Sequence, residues 1–214
     1  MLAYFIRHAQ SQNNARPESE RVADPGLTEL GHDQARRLGE WSRDLGLTKL
    51  ISSPFFRTLL TAEQVHLATG LAAEVRPDWY EAGGCFSDYR PGKMKAQPGM
   101  SRSEISDRFT TFSVDETIDQ NGWYEKPERE SYTEARERAA RLIEETQLEF
   151  GHTDERIGFV IHCDLKRFLV ESFHDDWIDI PINTSVTTVE FSPDTVRLVE
   201  FNEVDHLPPA MHTY

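Results

Sequence analysis

What most constrains this chain is an alternation: short apolar runs take turns with longer amphipathic stretches along most of its 214 residues. That rhythm is expected when helices pack on both faces of a largely parallel sheet, so it predicts an α/β fold, a three-layer α/β/α sandwich with a mostly parallel central sheet. Leu2 to Ile6 reads as a buried strand. Thr28 to Leu45 then sets Gly31, Ala35, Leu38, Ser42 and Leu45 on one helical stripe, with Glu29, Arg36, Arg37 and Arg43 elsewhere. Leu47 to Ser52 reads as a second strand, and Ser53-Pro54 as the cap and first residue of a helix from Phe55 to Thr69. Leu71 to Arg76 reads as a third strand. Ser131 and Glu134 have capping-box spacing ahead of the apolar positions Ala135, Ala139, Leu142 and Ile143. Arg156 to Ile161 is a further buried strand, followed by a helix from Leu165 to Phe173. Two β-rich runs, Ser185 to Phe191 and Val196 to Phe201, are joined by the turn residues Ser192-Pro193-Asp194.

Residues 82–130 break the rhythm with Gly83-Gly84, Pro91-Gly92, Pro98-Gly99 and scattered aromatics. A stretch that long is expected to be a lid-like insertion over the sheet's edge, carrying a short helix near Ser103 to Phe112. The whole, residues 1–214, is expected to be one domain with the insertion inside it.

Acidic residues number 37 against 23 basic ones, a formal charge of -14, which disfavours broad attraction to nucleic acid or anionic lipid. Cys85 and Cys163 are the only cysteines, too few for a disulfide framework or a cysteine zinc site. The opening apolar run meets Arg7 too early for a signal peptide, and no segment has the unbroken apolar length of a membrane span. A cytoplasmic location is expected.

Three clusters carry chemistry. Arg7-His8-Ala9-Gln10-Ser11 stands where the first strand ends, and ligand sites in such sheets gather outside the strands' carboxyl ends. Ser52 to Ala62 runs from the end of the second strand into a helix with Arg57 one turn in, where a guanidinium and a helix start both favour anions. Phe159-Val160-Ile161-His162-Cys163-Asp164 is another strand running into a histidine, with Asp164 read as a helix cap. Any one of these alone is as readily a structural histidine or a solvated arginine; two strand-terminal histidines together with two arginines point to an anion site.

The order Arg7-His8-Ala9 with Asn14, then Leu27-Thr28-Glu29-Leu30-Gly31-His32-Asp33-Gln34-Ala35, Ser52-Ser53-Pro54 to Arg57, Thr61-Ala62 and His162 resembles the histidine phosphatase superfamily, which includes phosphoglycerate mutases and many phosphatases. The resemblance implies that His8 is the nucleophile, with Arg7, Asn14, Arg57 and His162 around the phosphate. It places Glu81, in Trp79-Tyr80-Glu81-Ala82, where the family carries its proton donor; Asp88 is the nearest other carboxylate. Ala9 and Cys163 stand where the family usually has glycine, adding a Cβ near the phosphate. Gln10-Ser11 is similar to the mutase opening, but the mutase sequence around the acid is absent.

The implied activity is a metal-independent, cofactor-free phosphatase acting on a phosphate monoester through a phosphohistidine. The alternatives are phosphoglycerate mutase-type phosphotransfer and a non-catalytic phosphate-binding module. A small phosphorylated substrate is expected; a phosphoprotein substrate and a homodimer stay open. Phe86, Tyr89, Trp123 and Tyr124 are candidates for an apolar pocket, and Arg90, Lys93, Lys95 and Arg102 for contacts with further negative groups.

Overall fold

The buried run at the start of the chain is strand β1 (Leu2–Arg7), and it is the central reference for the sheet. The computed structural model describes residues 1–90 and 92–214, so Pro91 of the expected Pro91-Gly92 turn lies outside the described residues. After β1 come α1 (Glu29–Ser42), β2 (Lys49–Ser52), α2 (Phe56–Thr69), β3 (Ala73–Val75), β4 (Phe86–Ser87), β5 (Lys95–Ala96), α3 (Arg102–Arg108) and β6 (Ser113–Val114). The chain continues through α4 (Tyr132–Phe150), β7 (Arg156–Ile161), α5 (Cys163–Glu171), β8 (Val186–Phe191) and β9 (Val196–Glu203).

Seven strands form one sheet in the order β6-β3-β2-β7-β1-β8-β9, and β4 pairs with β5 apart from it. From β6 to β1 every pairing is parallel; β8 and β9 add antiparallel strands at the far side. The fold is therefore the expected α/β one with a mostly parallel sheet. Successive strand residues point to opposite faces. Tyr4 and Ile6 join one core with residues of α1 and α2, whereas Ala3 and Phe5 join the other with α4 and α5. β1 leads into α1 on one face and β7 into α5 on the opposite face, although the two strands are neighbours. Such a divergence opens a crevice at the strands' carboxyl ends, where ligands bind in sheets of this kind.

Helix α1 lies close against the loop that follows β1. A Cβ at Gly31 would meet the Gln10 carbonyl oxygen at 2.1 Å, so only glycine permits that approach. Ser131 and Glu134 form the expected capping box on α4, and the insertion's own helix α3 carries a second one, Ser101 with Glu104. That helix is shorter than the expected Ser103 to Phe112, because Phe109 and Phe112 turn inward and stack at 5.3 Å. Residues 82–130 were expected over the sheet's edge; their β6 pairs with β3 and itself forms that edge.

Two expected caps are corrected. Helix α2 is capped by Phe55, not Ser53; the Phe56 N–H donates to Asp24 Oδ1 at 2.8 Å, and Ser53 is engaged elsewhere. Helix α5 begins at Cys163 with His162 in the cap position, so Asp164 lies within its first turn.

Candidate active site

Arg7 and His8 stand at the end of β1, Ser53 and Arg57 at the junction of β2 and α2, and His162 between β7 and α5. The parallel register that pairs Arg7 with Ile161, and Ser52 with Val160, brings these ends together. His8 Nδ1 lies 2.7 Å from the Ala9 carbonyl oxygen, and Arg57 Nε donates to His8 Nε2 at 3.1 Å. A guanidinium only donates, so Nε2 carries the lone pair and Nδ1 the proton that goes to Ala9.

His162 is fixed in the same way. Arg57 Nη2 donates to its Nδ1 at 3.1 Å, which leaves Nε2 as the protonated nitrogen donating to Ser53 Oγ at 2.7 Å. One guanidinium therefore holds both imidazoles in neutral tautomers, with the ring centroids 5.3 Å apart. Electrostatics agree with the geometry. Burial, then the Arg57 and Arg7 charges, hold the His8 pKa well below the ordinary imidazole value. Burial and Arg57 do the same for His162. Phe55 supports Arg57 from below, its ring 4.1 Å from the guanidinium carbon.

A cavity of about 270 Å³ opens over this cluster. Arg7, His8, Asn14, Arg57 and Glu81 line it, whereas His162 does not: it is fully buried behind Arg57. Arg7 is anchored through Nη1 to the Pro181 carbonyl, and its buried Nε has no partner among the described residues. Asn14 accepts from the Ser11 N–H and hydroxyl through Oδ1, which turns its amide nitrogen outward from that pair. Glu81 lies against the start of α5, where Oε1 accepts from the Leu165 N–H at 3.0 Å and the Ala82 N–H at 2.8 Å. Burial and the neighbouring Asp164 carboxylate push the Glu81 pKa up, while Arg57 and those two N–H groups oppose the rise without cancelling it. Asp88, the other carboxylate considered, pairs with Arg90 and does not line the cavity.

The two positions where glycine was expected differ in kind. The buried Ala9 packs with Leu27 and Ala35 on the α1 side, and its N–H donates to Thr61 Oγ1 at 3.1 Å. Its methyl group therefore stays out of the cavity. Cys163 does line the cavity, and burial pushes its thiol up to about 11, so it is a neutral wall group.

Several surrounding residues were beyond the reach of sequence reasoning. Asn183 Nδ2 donates to the His8 carbonyl at 3.0 Å, and Ser53 orients His162, a role masked by its apparent place as a helix cap. Arg21, Arg129, Tyr89 and Tyr132 line the cavity mouth. Of the residues expected to shape a pocket, Tyr89 alone lines this cavity; Phe86, Trp123 and Tyr124 pack in the core, the last two also bordering a separate cavity beside Tyr80. Arg90, Lys93 and Lys95 do not line the cavity, and Arg102 donates to the Val114 and Asp115 carbonyls. Among the described residues no group of three or more His, Cys, Asp and Glu side chains could hold a metal ion, and no helix is long and apolar enough to cross a membrane.

The chain is thus an α/β protein whose parallel strands end in two neutral imidazoles bridged by a guanidinium, under a cavity lined by four arginines and three carboxylates. The sequence pattern of the histidine phosphatase superfamily (branch 1) matches residues 3–204, and the chain belongs to that superfamily. A Salmonella arizonae protein named "Probable phosphoglycerate mutase GpmB" is 42% identical over 70 residues, a match spanning 33% of this chain and 33% of that protein. Among solved structures, Bacillus stearothermophilus YhfR aligns over 96% of this chain and 98% of its own, with TM-score 0.69 and 21% identity. A mycobacterial glucosyl-3-phosphoglycerate phosphatase aligns over 95% and 99%, with TM-score 0.65 and 19% identity. At such identities these likenesses concern the fold alone.

Proposed function

We propose that the protein is a metal-independent phosphatase that hydrolyses a phosphate monoester through a phosphohistidine on His8. The observation that carries this reading is the fixed tautomer of His8, whose proton is directed to Ala9 and whose lone pair faces Arg57 in the cavity. An entering phosphate competes for the Arg57 guanidinium, which moves from nitrogen to oxygen and releases Nε2 for attack. Arg7, Arg57 and the Asn14 amide then hold the non-bridging oxygens as the phosphoryl group passes in line. Nε2 forms a bond to phosphorus as the bond to the ester oxygen breaks, and Glu81 supplies the proton to the departing alkoxide. A raised carboxyl pKa favours this acid role. In the second step Glu81 takes a proton from water as its oxygen attacks phosphorus, the phosphorus–nitrogen bond breaks, and His8 regains its lone pair. His162 acts through Arg57, accepting the Nη2 hydrogen on Nδ1 and so holding in place the guanidinium that meets the phosphate.

His8→Ala is expected to abolish turnover, and the wild type quenched at short times to carry acid-labile phosphate on His8. Label on a serine or cysteine defeats the mechanism, and loss of turnover with chelator defeats its metal independence. The Salmonella relative's name favours one second reading, transfer of the phosphoryl group to a sugar acid. Isomerisation with little phosphate release distinguishes that mutase reaction; tight phosphate binding without turnover distinguishes a binding module.

A further inference from the structure

The stretch that matches the family pattern ends at residue 204, and the segment after it comes back to the loops behind His8. Met211 and Thr213 there meet two amides with no exposed surface, Gln34 on α1 and Asn183 in the loop before β8. Gln34 Nε2 donates to the Met211 carbonyl and to Thr213 Oγ1, both at 2.8 Å. A hydroxyl that accepts can still donate, and Thr213 Oγ1 gives its own hydrogen to Asn183 Oδ1 at 3.1 Å. The Asn183 N–H donates back to the Thr213 carbonyl at 2.9 Å. Thr213 therefore fixes which way round each amide sits.

On their other sides the two amides hold the backbone around His8. Gln34 Oε1 accepts the Gln10 N–H at 2.8 Å. That N–H and the Ala9 carbonyl belong to one planar peptide unit and point opposite ways. The Ala9 carbonyl is the group that receives the His8 Nδ1 proton, at 2.7 Å. Fixing one end of the unit aims the other, and hydrogen bonds linked in this way strengthen one another. Asn183 Nδ2 holds the preceding unit through the His8 carbonyl at 3.0 Å. Gln34, Asn183 and Thr213 do not line the cavity.

We propose that Thr213 is a positioning residue for His8, acting through Gln34 and Asn183 on the two peptide units that set the direction of its ring. The inference rests on the phosphatase reading, in which His8 is the nucleophile, and deepens it. Its loss should fall on the chemical step, because the groups that hold the phosphate in that reading have other anchors: Arg7 is held by the Pro181 carbonyl, Asn14 by Ser11 and Arg57 by His162.

Thr213→Val keeps the shape of the side chain and removes the hydroxyl, leaving Gln34 and Asn183 each short of a partner. It is expected to lower kcat about tenfold or more and to leave KM within about twofold, the mark of lost alignment in the transition state. Thr213→Ser is expected to bring kcat back to within about twofold of wild type. Gln34→Met breaks the next link and is expected to lower kcat at least as far. Proton NMR of isotope-labelled protein supplies a second readout. In Thr213→Val the His8 Nδ1 proton is expected to move upfield or to be lost to exchange with water, while the His162 Nε2 proton, held by Ser53, stays in place. Wild-type kcat with an unmoved His8 proton overturns the inference, as does a change in KM alone. Loss of both imidazole protons together also overturns it, since that marks a general loosening. A wild type that turns over no ester defeats the phosphatase reading instead, and the two protons, read without substrate, still decide whether Thr213 sets His8.

Discussion

Arg57 is the residue on which the two histidines depend, because its Nε and Nη2 hold the lone pairs of both rings. This makes its removal different from the loss of one phosphate contact. Arg57→Ala is expected to lower kcat/KM on the order of a hundredfold or more, the usual scale for losing a preorganised donor. It is also expected to shift the pH profile. Arg57 helps hold the His8 pKa down, so without it that pKa rises and His8 stays protonated, and therefore non-nucleophilic, to a higher pH. The acid limb of kcat/KM should move upward in pH; a hundredfold loss with an unmoved limb would mean that Arg57 serves the phosphate alone. At the two positions where glycine was expected, the Ala9 methyl faces α1, away from the cavity, while the neutral Cys163 thiol forms part of its wall.

At the level of elements, the helix that carries Arg57 is held from outside itself. Asp24 Oδ1 accepts the Phe56 N–H, while Asp24 Oδ2 is buried without a partner among the described residues. Burial raises its pKa to about 6, against an ordinary 3.8, even with Arg57 nearby. The folded state therefore holds a proton that the unfolded state has released between those values, and stability falls as pH rises through that window. Asp24→Asn keeps the accepting oxygen and removes the charge. It is expected to flatten the stability profile between pH 3.8 and about 6 and to leave neutral-pH stability equal or higher in chemical denaturation. A drop in neutral-pH stability would show that the charged form is the better cap. The same element marks the boundary of what the sequence could tell. Strand ends at His8 and His162 were legible because each closes an apolar run, and the α4 capping box because its partners are three residues apart. Asp24 caps a helix 32 residues away and Glu81 one 83 to 84 residues away, so no local spacing records them. Ser53-Pro54 looked like a cap by local rules, but the hydroxyl is used by His162 across the sheet.

For the whole molecule the decisive question is how residues 82–130 are joined to the sandwich, since Gly84, Arg129 and Tyr89 line the cavity from that side. The join is polar and buried. Arg138 on α4 forms a two-pronged pair with Glu130, 2.9 and 2.7 Å, and also donates to the Asp78 and Tyr80 carbonyls just ahead of Glu81. The Tyr80 hydroxyl donates to Glu130 as well, at 2.9 Å. Burial alone would raise the Glu130 pKa, but the Arg138 bonds and charge outweigh it and hold the carboxyl below its ordinary value. Nothing in the sequence distinguishes Glu130 from the acidic residues around it, because its partner lies on the next helix and its burial is a property of the closed structure. Replacing one member leaves the other charged and dry, so Arg138→Met is expected to cost about 3–5 kcal/mol. In a double-mutant cycle with Glu130→Gln, the double variant should cost less than the sum of the singles by well over 0.5 kcal/mol, the scale within which independent sites add. The coupling should also be acid-sensitive in a fixed direction. A depressed carboxyl pKa gives stability that is present above the unfolded value of 4.5 and lost as pH falls through the folded one, so the cycle measured at acidic pH should lose its coupling. Additive singles at neutral pH would mean that the insertion is held by its apolar contacts, with Ile105 and Ile118 in the core, and that the buried pair is incidental to how the strap beside Glu81 is kept in register.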